Sequence, residues 1–386
     1  MLEQALAATA DATDSPIRAR LLATLALELS WSDRPRRLEL SDQALKLARR
    51  LGDPATLAQV LLARFYACAA PDTQAERLAN TAELLTLAEE LGDAAARSRA
   101  LALRFRVAME SADVAEAGRC LEANQRLAAD LGQPTLRWFV ELQRTARSLL
   151  AGRLQEAERL SHDALELGRS SGQPEALSFF VWQQAVVRFE QGRLEEVLDP
   201  IRQAASDYPG VSSARSLLAL AYAELDRADQ ARTLYEELAA AEFIHVPMDA
   251  VWLRCLTDCA SVCAYLGDAA RAPALHRLLA PYGDQLPVFV VGTAGGSVHH
   301  YLGLLATTMG RFDDAEARFA AAAATHQRIQ APTWLARTRL ERARLLLTRH
   351  QPGDLERARE LLGQAIAAAR ELGLGNLERK AVALLQ

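Results

Sequence analysis

Lysine is nearly missing from this chain. Of its 44 basic residues only Lys46 and Lys380 are lysines, and every other one is arginine. Coding bias in a GC-rich genome produces such a skew. So does use of the planar guanidinium fork to hold carboxylates or phosphates, which requires clustering in space. No stretch of roughly 18 apolar residues is free of charge, so no membrane-spanning helix is expected. The first residues, MLEQALAATADATDSPIR, have no basic head followed by an apolar run, and a secretory signal is not expected from them. Cysteine is sparse and odd in number: Cys68, Cys120, Cys255, Cys259 and Cys263. Without a secretion signal, free thiols in a reducing cytoplasm are the expectation. A net charge of -5 and a pI near 5.9 give no general basis for binding DNA, RNA or anionic lipid. No Gly-x-x-x-x-Gly-Lys-Ser/Thr loop occurs, and neither lysine lies in a glycine loop.

What is present is a repeat. Leu51-Gly52-Asp53-Pro54, Leu91-Gly92-Asp93, Leu131-Gly132-Gln133-Pro134 and Ser171-Gly172-Gln173-Pro174 place glycine at 52, 92, 132 and 172, each step being 40 residues. Pro209-Gly210 is the next equivalent. Each glycine follows an amphipathic run rich in Ala, Leu, Glu and Arg, the pattern of a helix ending in a left-handed cap. A second punctuation falls between: Gly152-Arg153-Leu154, Gly192-Arg193-Leu194, Leu266-Gly267-Asp268 and Gly310-Arg311-Phe312. Each unit therefore holds two helices and a tight turn, with acidic residues after the turn at the positive end of the second helix. Leu154, Ala157, Leu160, Ala164 and Leu165 recur at steps of three and four.

The fold expected is all-α. It is a single solenoid over residues 1–386 of about nine antiparallel helix pairs between Ser15 and Leu372. Residues 1–14 form an N-terminal partial helix or cap and 373–386 a C-terminal capping helix. One pair cannot bury its apolar face alone; stacking does so. An irregular insertion at 281–293 breaks the repeat and leads into a helix near Ala294. LPVFVVG, Leu286 to Gly292, is the one convincing strand.

Residues 302–322 resemble the tetratricopeptide pattern. Leu302-Gly303 matches its first helix, Gly310 and Phe312 its turn, and Ala315, Phe319 and Ala322 the inward face of its second helix. His299 stands where that pattern has tryptophan and Ala306 where it has tyrosine, while Pro332 arrives late. These departures and the longer step are similar to the MalT-like variety. Across its length the chain resembles the C-terminal repeat region of bacterial signal-transduction ATPases, the LuxR-type regulators and those associated with adenylate or guanylate cyclases. The phrases SPIRARLLATLALEL, LARRLGDPATLA, AGRLQEAERLSHDALELG, GSVHHYLGLLATTMGRFDDAEARF and APTWLARTRLERARLLLTR carry that resemblance. It implies a right-handed superhelix whose first helices line a concave surface. It also implies a sensor or regulatory arm whose ATPase module lies elsewhere.

Chemistry-bearing groups are few. VVGTAGGSVHH lacks the lysine of a phosphate loop. Gly295-Gly296-Ser297-Val298-His299 resembles a nucleophile elbow but ends in His and has no sheet behind it. An irregular connection is the plainer reading, with a lid or partner contact beside it. Cys255, Cys259 and Cys263, at steps of four, lie on one stripe and climb about 6 Å each, too far for one tetrahedral ion unaided; burial against a neighbouring helix is expected. His299 and His300 point to different faces, and no carboxylate has helical ligand spacing to them. No catalytic, cofactor-binding or metal-binding residue is predicted.

Aromatic and arginine side chains concentrate on first helices. The groove residues expected are Arg137, Trp138, Arg144, Trp182, Gln183, Arg188, Tyr222, Trp252, Arg254, His300, Tyr301, Trp334 and Arg337, types enriched at binding hot spots. Rings that merely fill the spaces between repeats are the alternative. The expected function is non-catalytic: a cytoplasmic module holding a protein segment, peptide or small effector in a concave groove. A free-standing adaptor is the second reading, and an enzyme using Gly292–Tyr301 the third.

Overall fold

The structure is a computed structural model, and it describes residues 2–8, 15–30, 33–289 and 293–386. Among the described residues the fold is all-α apart from two paired strands of two residues each. The helices are α1 (Leu2–Ala8), α2 (Pro16–Glu28), α3 (Arg34–Leu51), α4 (Pro54–Ala67), α5 (Gln74–Glu90), α6 (Ala94–Glu110) and α7 (Val114–Leu131). They continue as α8 (Pro134–Leu150), α9 (Leu154–Ser170), α10 (Ala176–Gln191), α11 (Leu198–Asp207), α12 (Ser212–Glu224), α13 (Ala228–Leu238) and α14 (Trp252–Leu266). The last are α15 (Ala272–Leu279), α16 (Val298–Thr308), α17 (Phe312–Arg328), α18 (Pro332–Arg349), α19 (Asp354–Leu372) and α20 (Gly375–Ala383). No helix among the described residues is long and apolar enough to cross a membrane.

Each helix packs on the next, and the even-numbered helices also touch one another, α2 with α4, α12 with α14 and α14 with α16. The character is solenoid-like. Turn chemistry sets the period. Gly52 and Gly132 cap α3 and α7 with φ of 65° and 63°, the left-handed region that glycine enters without steric cost. Asp53, Asp93 and Asp113 cap the helices that follow by accepting from the backbone N–H three residues on. Gly210 departs from the pattern. It is not left-handed, and α11 ends two residues earlier at a Tyr208 cap. This second helix is short because its first turn is a 3₁₀ segment, Leu194–Val197, ahead of Pro200.

The chain turns back so that its last helices, α18 to α20, rest on α8 to α10. Leu149, Leu154, Ala157 and Val187 of α8 to α10 share a core with Ala336, Leu340, Leu362 and Leu377 of α18 to α20. Leu286, Val288, Ile329 and Ala331 join the core of α6 to α8. Arginines stitch this return to backbone carbonyls far along the chain: Arg37 to Met248 at 3.1 Å, Arg106 to Ala250 at 3.2 Å and Arg328 to Ala112 at 3.0 Å. Here a fork with several donors reaches what a single ammonium reaches less well.

The insertion departs from expectation at its end. Val288–Phe289 (β1) pairs antiparallel with Thr293–Ala294 (β2), and α16 begins at Val298 rather than near Ala294. Ser297 is the cause: it caps α16 by accepting from His299 N–H. The rest of the expected strand, Val290 to Gly292, lies outside the described residues, as do 9–14 of the expected N-terminal cap.

Candidate functional site: a cavity between the helices

The even-numbered helices α10 to α18 surround a cavity of about 600 Å³, with Leu149 of α8 and Ala294 of β2 at its wall and Leu377 and Lys380 of α20 against it. It exists because α18 and α20 come back onto α8 and α10. Glycine permits that approach. A side chain at Gly375 would meet the backbone oxygen of Gln191 at 2.7 Å, while one at Gly192, which has φ of 73°, would only have to displace the exposed Arg379 guanidinium.

The apolar wall is Val186, Phe189, Leu217, Leu220, Leu304 and Leu340. Polar groups on it are arranged in pairs. Arg337 holds both oxygens of Glu190, Nε at 3.1 Å and Nη2 at 2.8 Å. Its guanidinium lies over Phe189 at 4.3 Å and near Trp334 at 5.6 Å. Arg254 Nε donates to Asp258 at 2.8 Å, and Asp258 also accepts from Ser216 at 3.0 Å. Toward α20, Glu224 accepts from Lys380 at 2.6 Å and Asn376 at 2.8 Å. Burial would raise the Glu224 carboxyl, but the charges of Lys380 and Arg337 outweigh it and hold it low.

Behind the wall runs a buried polar chain. Ser297 N–H donates to His326 Nε2 at 2.9 Å; His326 Nδ1 lies 3.2 Å from Thr338 Oγ1, and Thr338 Oγ1 lies 3.0 Å from His300 Nδ1. Burial keeps His326 neutral, its pKa lowered to about 3, and burial with the nearby His326 and Arg337 lowers His300 well below its ordinary value. Gly296 lies against the face of Trp334, where an added Cβ would come within 2.3 Å of the ring. The insertion is thus fastened to the cavity wall at two points.

Five of the thirteen expected groove residues line this cavity: Arg254, His300, Tyr301, Trp334 and Arg337. Trp182 is next to it, against Phe289 at 4.4 Å, in a small adjoining void shared with Arg254 and Asp258. The others are placed elsewhere. Trp138 is buried against Phe139 and Phe179, and Trp252 against Tyr282. Tyr222 is buried and accepts from Arg202 at 3.3 Å. Gln183 donates to Leu142 O at 3.1 Å, Arg144 pairs with Glu141, and Arg188 pairs with Glu158 and Glu196. Arg137 is exposed on α8. These rings and amides fill the joints between repeats.

Ser297, the serine of the elbow-like segment, is buried and donates to Gly283 O at 3.2 Å. His299 points to Asp284 at 3.4 Å, away from His300's partners. All five cysteines are buried and free, and burial pushes the Cys263 thiol up to about 11. Among the described residues no group of three or more His, Cys, Asp or Glu side chains is set to hold a metal ion. Sequence reasoning missed Glu190, Glu224, Asp258, Tyr265 and Lys380 at the cavity, and His326 and Thr338 behind it. Arg254 and Asp258, four apart on one helix, were the legible signal. Comparison with protein-family models and with curated proteins returned no match.

Proposed function

We propose that this chain is a non-catalytic tetratricopeptide-like module of the MalT-like kind. In this reading its nine or so helix pairs wind a solenoid that holds a small effector in the central cavity, as the sensory arm of a bacterial ATPase-type regulator. The cavity itself carries the reading. Its 600 Å³ falls within the roughly 300–1,000 Å³ typical of small-molecule sites, and its apolar walls bear a few converging polar groups. The space is lined by five pairs' inner helices and touched by α20, so an effector there would bear on several repeats at once. Binding that favours the closed arrangement over an open one would then shift the population of the arm.

Ala264 on α14 lines the cavity, and Ala264→Trp fills part of it. A thermal-shift screen of soluble metabolites against the full chain should yield compounds that stabilise the parent and not Ala264→Trp. Stabilisers that act equally on both would move the site elsewhere. A partner protein captured equally by both variants, with no small-molecule hit, would favour the free-standing adaptor.

A further inference from the structure

The hydrogen-bond chain behind the wall fixes which way its protons point. Ser297 N–H is a backbone group and can only donate, so His326 Nε2 must be the acceptor. His326, neutral, therefore carries its proton on Nδ1, facing Thr338 Oγ1. Thr338 accepts there and has one further partner, His300 Nδ1. Its hydroxyl hydrogen is satisfied only if it donates to that nitrogen, and leaving it unused in the interior would cost the desolvation of the group. His300 thus accepts at Nδ1 and, being neutral, holds its proton on Nε2. His300 lines the cavity, and among the described residues no hydrogen bond engages Nε2.

The neighbouring cations are also donors with hydrogens to spare. Arg254 uses only Nε on Asp258, and Arg337 uses Nε and Nη2 on Glu190. Arg254 Nη1 and Nη2 and Arg337 Nη1 have no partner among the described residues' hydrogen bonds. The carboxylates bonded to these arginines are paired on both oxygens: Glu190 with Arg337, and Asp258 with Arg254 and Ser216. Toward α20, Glu224 Oε1 and Asp226 Oδ2 have no partner among the described residues' hydrogen bonds, since Lys380 and Asn376 both use Glu224 Oε2 and Tyr265 uses Asp226 Oδ1. Five carboxylates and four cations line the cavity, so net charge does not select a ligand. The direction of the unspent hydrogens does. At the wall made by His300, Arg254 and Arg337 a cation would have to break existing pairs, whereas an anion meets unpartnered donors that are already largely desolvated. Phe189, Tyr301 and Trp334 supply flat apolar surface next to those donors.

We infer that the cavity takes a small molecule that joins an oxyanion, carboxylate or phosphate, to a flat apolar body. The oxyanion sits against His300 Nε2–H, Arg254 and Arg337. This rests on the cavity being the effector site. His326 and Thr338 are positioning residues that hold His300 as a donor.

The test is isothermal titration calorimetry of the full chain near pH 7.5 with four probes of similar shape: 3-phenylpropionate, phenyl phosphate, neutral 3-phenylpropionamide and cationic phenethylamine. One or both anions should bind at least about tenfold more tightly than the amide, the loss expected for a charge-assisted bond. The preferred anion identifies the headgroup. His300→Phe should weaken the anion about tenfold, and His300→Gln, which keeps an N–H donor, less. Thr338→Val preserves shape and releases the tautomer, and should weaken the anion several-fold while leaving the amide unchanged. Amide or amine binding as tight as the anions overturns the inference, as does no heat from either anion at millimolar concentration. If the amide binds as tightly as the anions and Ala264→Trp abolishes it, the cavity stands and only the oxyanion falls. If anion binding survives Ala264→Trp, the cavity reading falls with it.

Discussion

Two buried arginine–carboxylate groups in this protein are alike in chemistry and unlike in surroundings. At the seam where the insertion crosses α5 and α6, Glu110 accepts from Arg77 at 2.6 Å and Arg106 at 3.1 Å, and its backbone carbonyl accepts from Leu286 at 2.9 Å. Beside it lies a void of only about 20 Å³, lined by Arg77, whose Nε and Nη1 have no protein acceptor. That is room for about one water. In the cavity, Glu190 holds Arg337 with similar geometry, but next to some 600 Å³. A guanidinium against a filled wall closes the fold. The same group against an empty volume, at Arg337, keeps Nη1 without a hydrogen-bond partner among the described residues. The type of ion pair does not distinguish the two places; the space left beside it does.

The largest effect expected follows directly. Glu110→Gln leaves two guanidinium groups beside a neutral partner in a place water barely reaches, and should lower unfolding free energy by about 3 kcal/mol or more in urea titrations. Glu190→Gln leaves one guanidinium beside a cavity that solvent can fill, and about 1 kcal/mol is expected. Equal losses at the two sites would erase the distinction between seam and cavity.

Acid sharpens the comparison further. His326 is neutral when folded, with a pKa of about 3 against an ordinary 6.5. The unfolded chain takes up that proton first, so stability should fall as pH drops from 6.5 toward 3, by at most about 1.4 kcal/mol per unit for one histidine. His300, beside His326 and Arg337, acts in the same sense. Glu110 is different. Burial would raise its carboxyl, but Arg77 and Arg106 outweigh burial and hold it below the ordinary 4.5. It stabilises fully above that value and less as pH falls through its lowered folded value. Urea midpoints taken from pH 7.5 to 3.5 should thus show His326→Gln flattening the curve already above pH 4.5. Glu110→Gln should change its slope only below that pH. A His326→Gln curve parallel to the parent's from 6.5 to 4.5 would count against a neutral buried His326.

The smallest effect is at α20. Lys380→Met removes a half-exposed partner from Glu224 and should cost about 1 kcal/mol or less, while speeding exchange of any cavity ligand. Stopped-flow dissociation of a bound probe measures the latter.

Local features were legible in sequence and distant ones were not. Gly52, Gly92, Gly132 and Gly172 are all left-handed, with nothing within 4 Å of where a side chain would start, so their spacing could be read as pure turn chemistry. Gly152 and Gly192 are left-handed too, yet Thr333 and Arg379 press on them from nearly two hundred residues away. That pressure comes from α18 and α20 packing back on α8 and α10, a long-range contact that leaves no mark at any one turn. The same ignorance put Trp138 and Trp252 on the expected groove. Helical periodicity tells which residues share a face, and the curvature decides which face looks at the cavity. His326 carried no linear signal at all, since its partners are Ser297 behind it and Thr338 on the next helix.

The scarcity of lysine gives the cavity a built-in reporter. Lys46 is exposed on α3, and Lys380 is bonded to Glu224 where α20 meets α12. Reductive methylation with labelled formaldehyde would give two lysine resonances in nuclear magnetic resonance. One would mark an open helix surface, an internal standard that should ignore the cavity. The other would sit at its edge and shift with whatever enters.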